Sequence, residues 1–142
     1  MKALLDTCVI SELVTKQPNP KVVEFVDSLD PEDVYLSAIT IGEIVKGIET
    51  LPASRRRVAM RAWLKDDLLV RFDGQIVSLD KDVLMEWGVL TARLESAEAS
   101  CKPMPAIDSL IAASVRVHQM TLVTRNVIDF ESADVEIINP WA

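Results

Sequence analysis

Four acidic residues are of a type and spacing that can do chemistry: Asp6, Glu43, Asp108 and Asp129. Asp6 ends the apolar run of Leu4-Leu5-Asp6-Thr7-Cys8-Val9-Ile10-Ser11-Glu12-Leu13, just where a short helical pattern begins. It is either the N-cap of that helix or a wall of a site in the crevice beyond the strand ends. Glu43 follows Thr40 in a Thr40-x-x-Glu43 pattern, which fits a capping box as well as a ligand. Asp108 falls in the first turn after Pro105, where the helix dipole favours negative charge. Its neighbours Ala106, Ile107, Leu110 and Ile111 are apolar, and burying a lone carboxylate among them would be expensive.

Considered together, the acids point to one place. Asp6 follows the first candidate strand, Glu43 follows the second by one helical turn, and Asp108 opens the helix before the fourth. In a parallel sheet all three converge on the carboxyl edge, with the Asn126/Asp129 stretch completing the same corner. Two bare carboxylates about 4 Å apart repel by roughly 4 kcal/mol at an effective dielectric of about 20, so such a cluster persists when a cation neutralises it. An all-oxygen donor set suits Mg²⁺ or Mn²⁺ rather than zinc.

The elements that must position these residues are legible in order. Lys2–Leu5 reads as a strand and Thr7–Val14 as a short helix. Asn19-Pro20 starts a helix carrying Val22, Val23, Phe25, Val26 and Leu29. Val34–Ser37 is the second strand. A helix runs from Thr40 to roughly Leu51, and a longer one from Ala53 to Phe72. Ile76–Leu79 is the third strand, closed by Asp80, and Lys81–Ala99 is a helix. The stretch 101–105 is a Pro-stiffened loop, and Ala106–His118 a closely packed helix. Thr121–Thr124 is the fourth strand and Val135–Ile138 a fifth, at an edge. Strands separated by helices imply right-handed parallel crossovers. The expected fold is α/β: a single domain over 1–142, a three-layer α/β/α sandwich around a mostly parallel sheet of about five strands.

Composition narrows the class. At 142 residues the chain can bury a sizeable core. Its net charge of −7 weighs against a non-specific nucleic-acid binder. Cys8 and Cys101 are the two cysteines, with no metal-binding pair, so a reducing, cytoplasmic setting is expected. No secretory signal or membrane span is expected. Arg57, Arg61 and Lys65 recur at helical spacing as a basic stripe that is either an RNA track or a solvated helix face. Trp63, Trp87 and Trp141 can stack on bases or fill a core or a dimer interface. His118 ends a helix and suits its C-terminus.

The chain resembles the PIN-domain ribonucleases and, within them, the VapC/FitB-like toxins of bacterial toxin–antitoxin pairs. The resemblance rests on LLDTCVISEL at 4–13, SAITIGEIVKGIE at 37–49, MPAIDSLIAASV at 104–115 and TLVTRNVIDFE at 121–131. It implies that Asp6, Glu43 and Asp108 are the family's invariant acids and hold Mg²⁺ or Mn²⁺, with Thr7 and Thr124 as the hydroxyl residues beside the ion. The family often has an acid two residues after the threonine of the last motif. Asn126 takes that place here, and Asp129 is the nearest carboxylate. The implied activity is metal-dependent endoribonuclease cleavage leaving a 5′-phosphate and a 3′-hydroxyl. Arg125, which lies within the fourth motif, either reaches a substrate phosphate or pairs with an acid of the cluster. The implied partners are RNA, a cognate antitoxin and a second copy of the chain, with a larger assembly on operator DNA reached through the antitoxin. Alternatives are an RNA-processing PIN nuclease without an antitoxin and an idle PIN binding module. A haloacid-dehalogenase-type phosphatase would need an Asp where Cys8 stands. A response-regulator receiver would need paired acids where Asp6 stands alone.

Overall fold

A computed structural model describes residues 1–96 and 104–142. Five short strands form one sheet: β1 (Ala3–Leu5), β2 (Val34–Ser37), β3 (Ile76–Val77), β4 (Thr121–Val123) and β5 (Ile137–Ile138). Every pairing is parallel, in the order β3-β2-β1-β4-β5. The register sets Leu5 beside Val123 and Ser37 beside Val77. The chain therefore leaves β1 in one direction for β2 and returns on the other side as β4. That makes the carboxyl end of β1 a topological switch point, where open α/β sheets bind ligands.

Both faces of the sheet are covered, which is why the strands read as apolar runs rather than alternating ones. Side-chain alternation along β1 divides the core. Ala3 and Leu5 join Leu36, Val9, Val22, Ile44, Ile48 and Phe72 on one side. Leu4 joins Leu122, Leu90, Ile111, Val115 and Phe130 on the other. Full burial of each large apolar side chain contributes roughly 1.5–3 kcal/mol. The first side is covered by α1 (Thr7–Leu13), α2 (Pro20–Asp27), α3 (Ala38–Glu49), α4 (Arg55–Trp63) and the residues Leu68 and Phe72 that flank the short α5 (Leu69–Arg71). The second is covered by α6 (Lys81–Ser96), α7 (Ala106–His118) and α8 (Val127–Phe130). Trp87 Nε1 donates to Ser109 Oγ at 2.9 Å, tying α6 to α7. Arg116 joins Glu86 at 2.7 Å to the Ala133 and Asp134 carbonyls. Among the described residues, no helix is long and apolar enough to cross a membrane.

Several expected boundaries move. Helix α3 starts at Ala38, with the Ser37 hydroxyl accepting the Ile39 N–H at 3.1 Å. Thr40 is thus inside the helix, and the Thr40-x-x-Glu43 capping box does not form. The expected helix 53–72 is three pieces, because a π turn over Leu64–Leu68 separates α4 from α5. Lys65 lies within that turn, where the regular four-residue spacing of the helix is interrupted. Arg61 is forked onto Glu49 at 2.6 and 2.7 Å, and Arg57 donates to the Leu51 carbonyl at 3.3 Å. The basic stripe is therefore not a continuous free face. Strands β3 and β5 are two residues each, shorter than expected. Asp80, expected to close the third strand, accepts the Val83 N–H at 3.0 Å in the first turn of α6. The expected extension of that helix to Ala99, and Cys101, lie outside the described residues.

Because Ser37 rather than Thr40 caps α3, Ser37→Ala should destabilise the protein by about 1 kcal/mol, read as a lower urea midpoint at unchanged m-value. An unchanged midpoint would contradict this assignment.

Candidate active site

Asp6 is the fixed point of the site. Its backbone N–H continues the sheet by donating to the Val123 carbonyl at 2.9 Å, and its side chain is 8% exposed. One carboxylate oxygen accepts the Thr7 N–H at 2.9 Å, which makes Asp6 the N-cap of α1. The other accepts the fully buried Thr124 hydroxyl at 2.7 Å. Thr124 in turn accepts the Asn126 N–H at 3.1 Å, so strand β4 and the turn after it are locked to the same carboxylate. A carboxylate has roughly four acceptor positions, and capping leaves room for ligation on both oxygens.

Glu43 enters from the second turn of α3. Its Oε1 accepts the Thr7 hydroxyl at 2.6 Å, and Thr7 Oγ1 lies 3.2 Å from the hydroxyl of buried Thr40. A hydroxyl has a single proton to give, and the carboxylate is the stronger acceptor, so Thr7 serves Glu43. Thr40 thereby belongs to the site, a role that its fit to a cap motif concealed in the sequence. Asp108 sits in the first turn of α7, part-exposed, with the helix N-terminus behind it. Burial first, and then the charges of Asp129, Asp6 and Glu43, push its pKa up to about 6. Asp108 thus feels the charge of each of the other three acids singled out in the sequence. Asp129 is exposed on α8 and ranks first among those charges. Asn126 contributes its backbone to Thr124, without a capping bond from its side chain.

As the side chains lie, no three carboxylates, thiols or imidazoles among the described residues close around a single ion position. The donor chemistry nevertheless fits a hard divalent cation: carboxylate oxygens from β1, α3 and α7, threonine hydroxyls between them, and no imidazole in the cluster. Cys8 borders the group, its Sγ 3.8 Å from Asp6 Oδ2 and 3.6 Å from Thr124 Oγ1. Burial pushes its thiol pKa up from the usual value, which keeps it protonated beside an anion.

Two clefts accompany this arrangement. A cavity of about 720 Å³ between α1, α3 and α4 opens on Thr7 and Glu43 and is otherwise largely apolar, with Ile10, Val14, Ile48, Met60 and Trp63 among its walls. Exposed Lys16 and Arg56 border it. A smaller cleft of about 350 Å³, near the start of β4, holds none of the four acids, and its Arg116 is already engaged by Glu86.

The raised Asp108 pKa has a sign for stability. In the folded protein Asp108 holds its proton up to about pH 6, against 3.8 for the unperturbed group. The folded state then binds more protons across that window, so rising pH removes stability there. In chelator, Asp108→Asn should gain on wild type in thermal melts as pH rises from about 4 to about 6. A pH-independent difference would contradict the assignment.

Residues 3–135 match the family model for the PIN domain. The chain is 40% identical over 139 residues to Toxin FitB of Neisseria gonorrhoeae, covering 97% of each chain. It is 36% identical over 138 residues to VapC ribonuclease Y4jK of Sinorhizobium fredii, covering 97% of this chain and 96% of that one. Its fold superposes on the solved structure of FitAB bound to IR36 DNA fragment with a TM-score of 0.91 at 37% identity, covering 99% of this chain and 96% of that one. With the switch-point acids and the all-parallel sheet already described, these matches place the chain in the PIN-domain family.

Proposed function

We propose that this chain is a metal-dependent endoribonuclease and the toxin of a toxin–antitoxin pair. What supports the reading is the Thr7 bridge between Asp6 and Glu43 at the end of β1, together with the raised pKa of Asp108, which burial and then the charges of Asp129, Asp6 and Glu43 produce. Relatives named as a VapC ribonuclease and as Toxin FitB, at 36% and 40% identity, support the class of reaction. Asp6, Glu43 and Asp108 would hold a Mg²⁺ or Mn²⁺ ion. Such an ion, when bound, favours hydroxide over water and offsets charge growing on the phosphoryl oxygens during in-line attack.

The chain's own residues do the rest. Thr124 and the Thr7 N–H keep Asp6 in one rotamer, and the Thr7 hydroxyl does the same for Glu43. Asp129, exposed at the rim, can take the proton of the attacking water. Hydrolysis then leaves a 5′-phosphate on one RNA fragment and a 3′-hydroxyl on the other. The apolar cavity beside Thr7 and Glu43 suits an antitoxin segment that carries apolar anchors and a basic side chain toward the acids. The solved structures of FitAB on DNA and of FitAcB from Neisseria gonorrhoeae are consistent with such a partner, and with operator DNA reached through it. The cytoplasm, where RNA and an antitoxin are at hand, is the compartment this reading requires.

A homodimer belongs to the same reading. Helix α6 exposes Leu84, Met85 and Val89 at 45%, 67% and 64%. Asp82 and Arg93 lie toward opposite ends of this apolar face. Two copies of α6 packed antiparallel would set each aspartate toward the other's arginine, the self-complementarity that a two-fold interface needs.

Asp6→Asn and Asp108→Asn should each lower RNA cleavage by at least about 100-fold without loss of fold by circular dichroism, and EDTA should abolish wild-type cleavage. In cells, wild type alone should arrest growth, and the adjoining small reading frame should relieve it. Cleavage that survives EDTA or both substitutions would refute the mechanism, and equal growth in every case would favour an idle binding module. For the dimer, Val89→Asp should convert the protein to a monomer by light scattering. A wild type that is already monomeric would remove that part of the reading.

A further inference from the structure

Arg125 stands between two residues of the site: Thr124, which donates to Asp6, and Asn126, whose N–H returns to the Thr124 hydroxyl. Its guanidinium carbon lies over the Trp141 ring, 5.2 Å from the centroid. Among the described residues, the arginines whose guanidinium groups donate hydrogen bonds are Arg57, Arg61 and Arg116. Arg125 is not one of them, and no carboxylate among those residues pairs with it.

Trp141 is held in place from its own side. Its Nε1 donates to Glu12 Oε1 at 3.3 Å, and its backbone N–H donates to Asn139 Oδ1 at 3.0 Å. The other Glu12 oxygen accepts the Asn19 N–H at 3.0 Å, so one carboxylate of α1 fixes both the indole and the entry to α2. The ring also packs against the core on the α1–α3 side of the sheet. A guanidinium over an indole face uses its π surface and leaves its in-plane N–H fork free. That fork matches two oxygens of a phosphate.

A strand of RNA approaching four carboxylates on a chain of net charge −7 needs a local cation. Arg57 and Arg61 are committed elsewhere, whereas Arg125 adjoins Asp6 through Thr124 and, among the described residues, its guanidinium has no hydrogen-bond or carboxylate partner. We propose that Arg125 grips a backbone phosphate of the RNA next to the scissile bond, and that Trp141 is the positioning residue that holds it there. This rests on the nuclease reading above and adds to it a substrate contact and the platform beneath it.

The test is steady-state cleavage of a fluorescein-labelled, mixed-sequence single-stranded RNA, with binding of the same RNA followed across salt in an Asp108→Asn background. Arg125→Ala and Trp141→Leu should raise KM about tenfold, the worth of one charge-assisted contact, with kcat within about twofold. Arg125→Ala should lower the salt slope of log K by about 0.7, the value for one phosphate contact on a single strand, while Arg125→Lys keeps it. Trp141→Phe retains a ring face without the bond to Glu12 and should return KM to near wild type. Wild-type KM and salt slope in Arg125→Ala, alongside active wild type, would overturn the proposal and leave the nuclease reading intact. Trp141→Phe as impaired as Trp141→Leu would reduce Trp141 to packing and overturn its positioning role. Wild type that neither binds nor cleaves RNA would bring down the nuclease reading itself.

Discussion

The hydroxyl of Thr124 donates to Asp6 at 2.7 Å and accepts the Asn126 N–H at 3.1 Å. Because its one proton goes to the carboxylate, its lone pairs must face Asn126, and the bond has direction as well as length. It spans the two central strands at the point where the chain's winding reverses. Removing such a donor from a carboxylate only 8% exposed would leave an acceptor short of partners, at a cost of about 1–3 kcal/mol. The placement of α3 and α7 has meaning only relative to an Asp6 that does not move, since each brings one more negative charge toward it.

Crowding of like charge is the other side of that arrangement. The raised pKa of Asp108 comes first from its burial and then from the repulsion that a cation would relieve. The surroundings are built to tolerate it. Threonine hydroxyls meet Asp6 and Glu43, a helix N-terminus lies behind Asp108, and Asp129 stays in solvent where its charge is screened. Stability is surrendered locally at a site while the two apolar layers beneath it supply it.

Much of this was legible in the sequence, for identifiable reasons. The strands are buried on both faces and so stand out as apolar runs, and the order of strands and helices implied parallel pairing. The acids were legible because carboxylates at strand ends and helix starts are interpretable in either of two ways, and Asp6 turned out to be a cap that also faces the other acids. Thr40 was hidden because a capping motif explained it locally, while Ser37, one turn earlier, won the cap. The π turn at Leu64–Leu68 was hidden because an inserted residue leaves helical composition unchanged. Ion pairing concealed the fate of Arg61, since Glu49 lies on another helix. Trp141 was legible only as an aromatic residue, because its relation to Arg125 depends on how the segment after β5 returns beside α1.

The pairing of β1 with β4 also governs when the protein can act during its own synthesis. Asp6 is synthesised well before its partner Thr124, which lies 118 residues later. Until β4 has been made, β1 lacks a neighbour on one side and the first acid lacks its orienting donor. Asp108 and Asp129 arrive only in the same late stretch of chain. Long-range parallel pairing is slow to form because closure of the intervening loop precedes its reward. A growing chain therefore holds no assembled site until the stretch through Asp129 has been made.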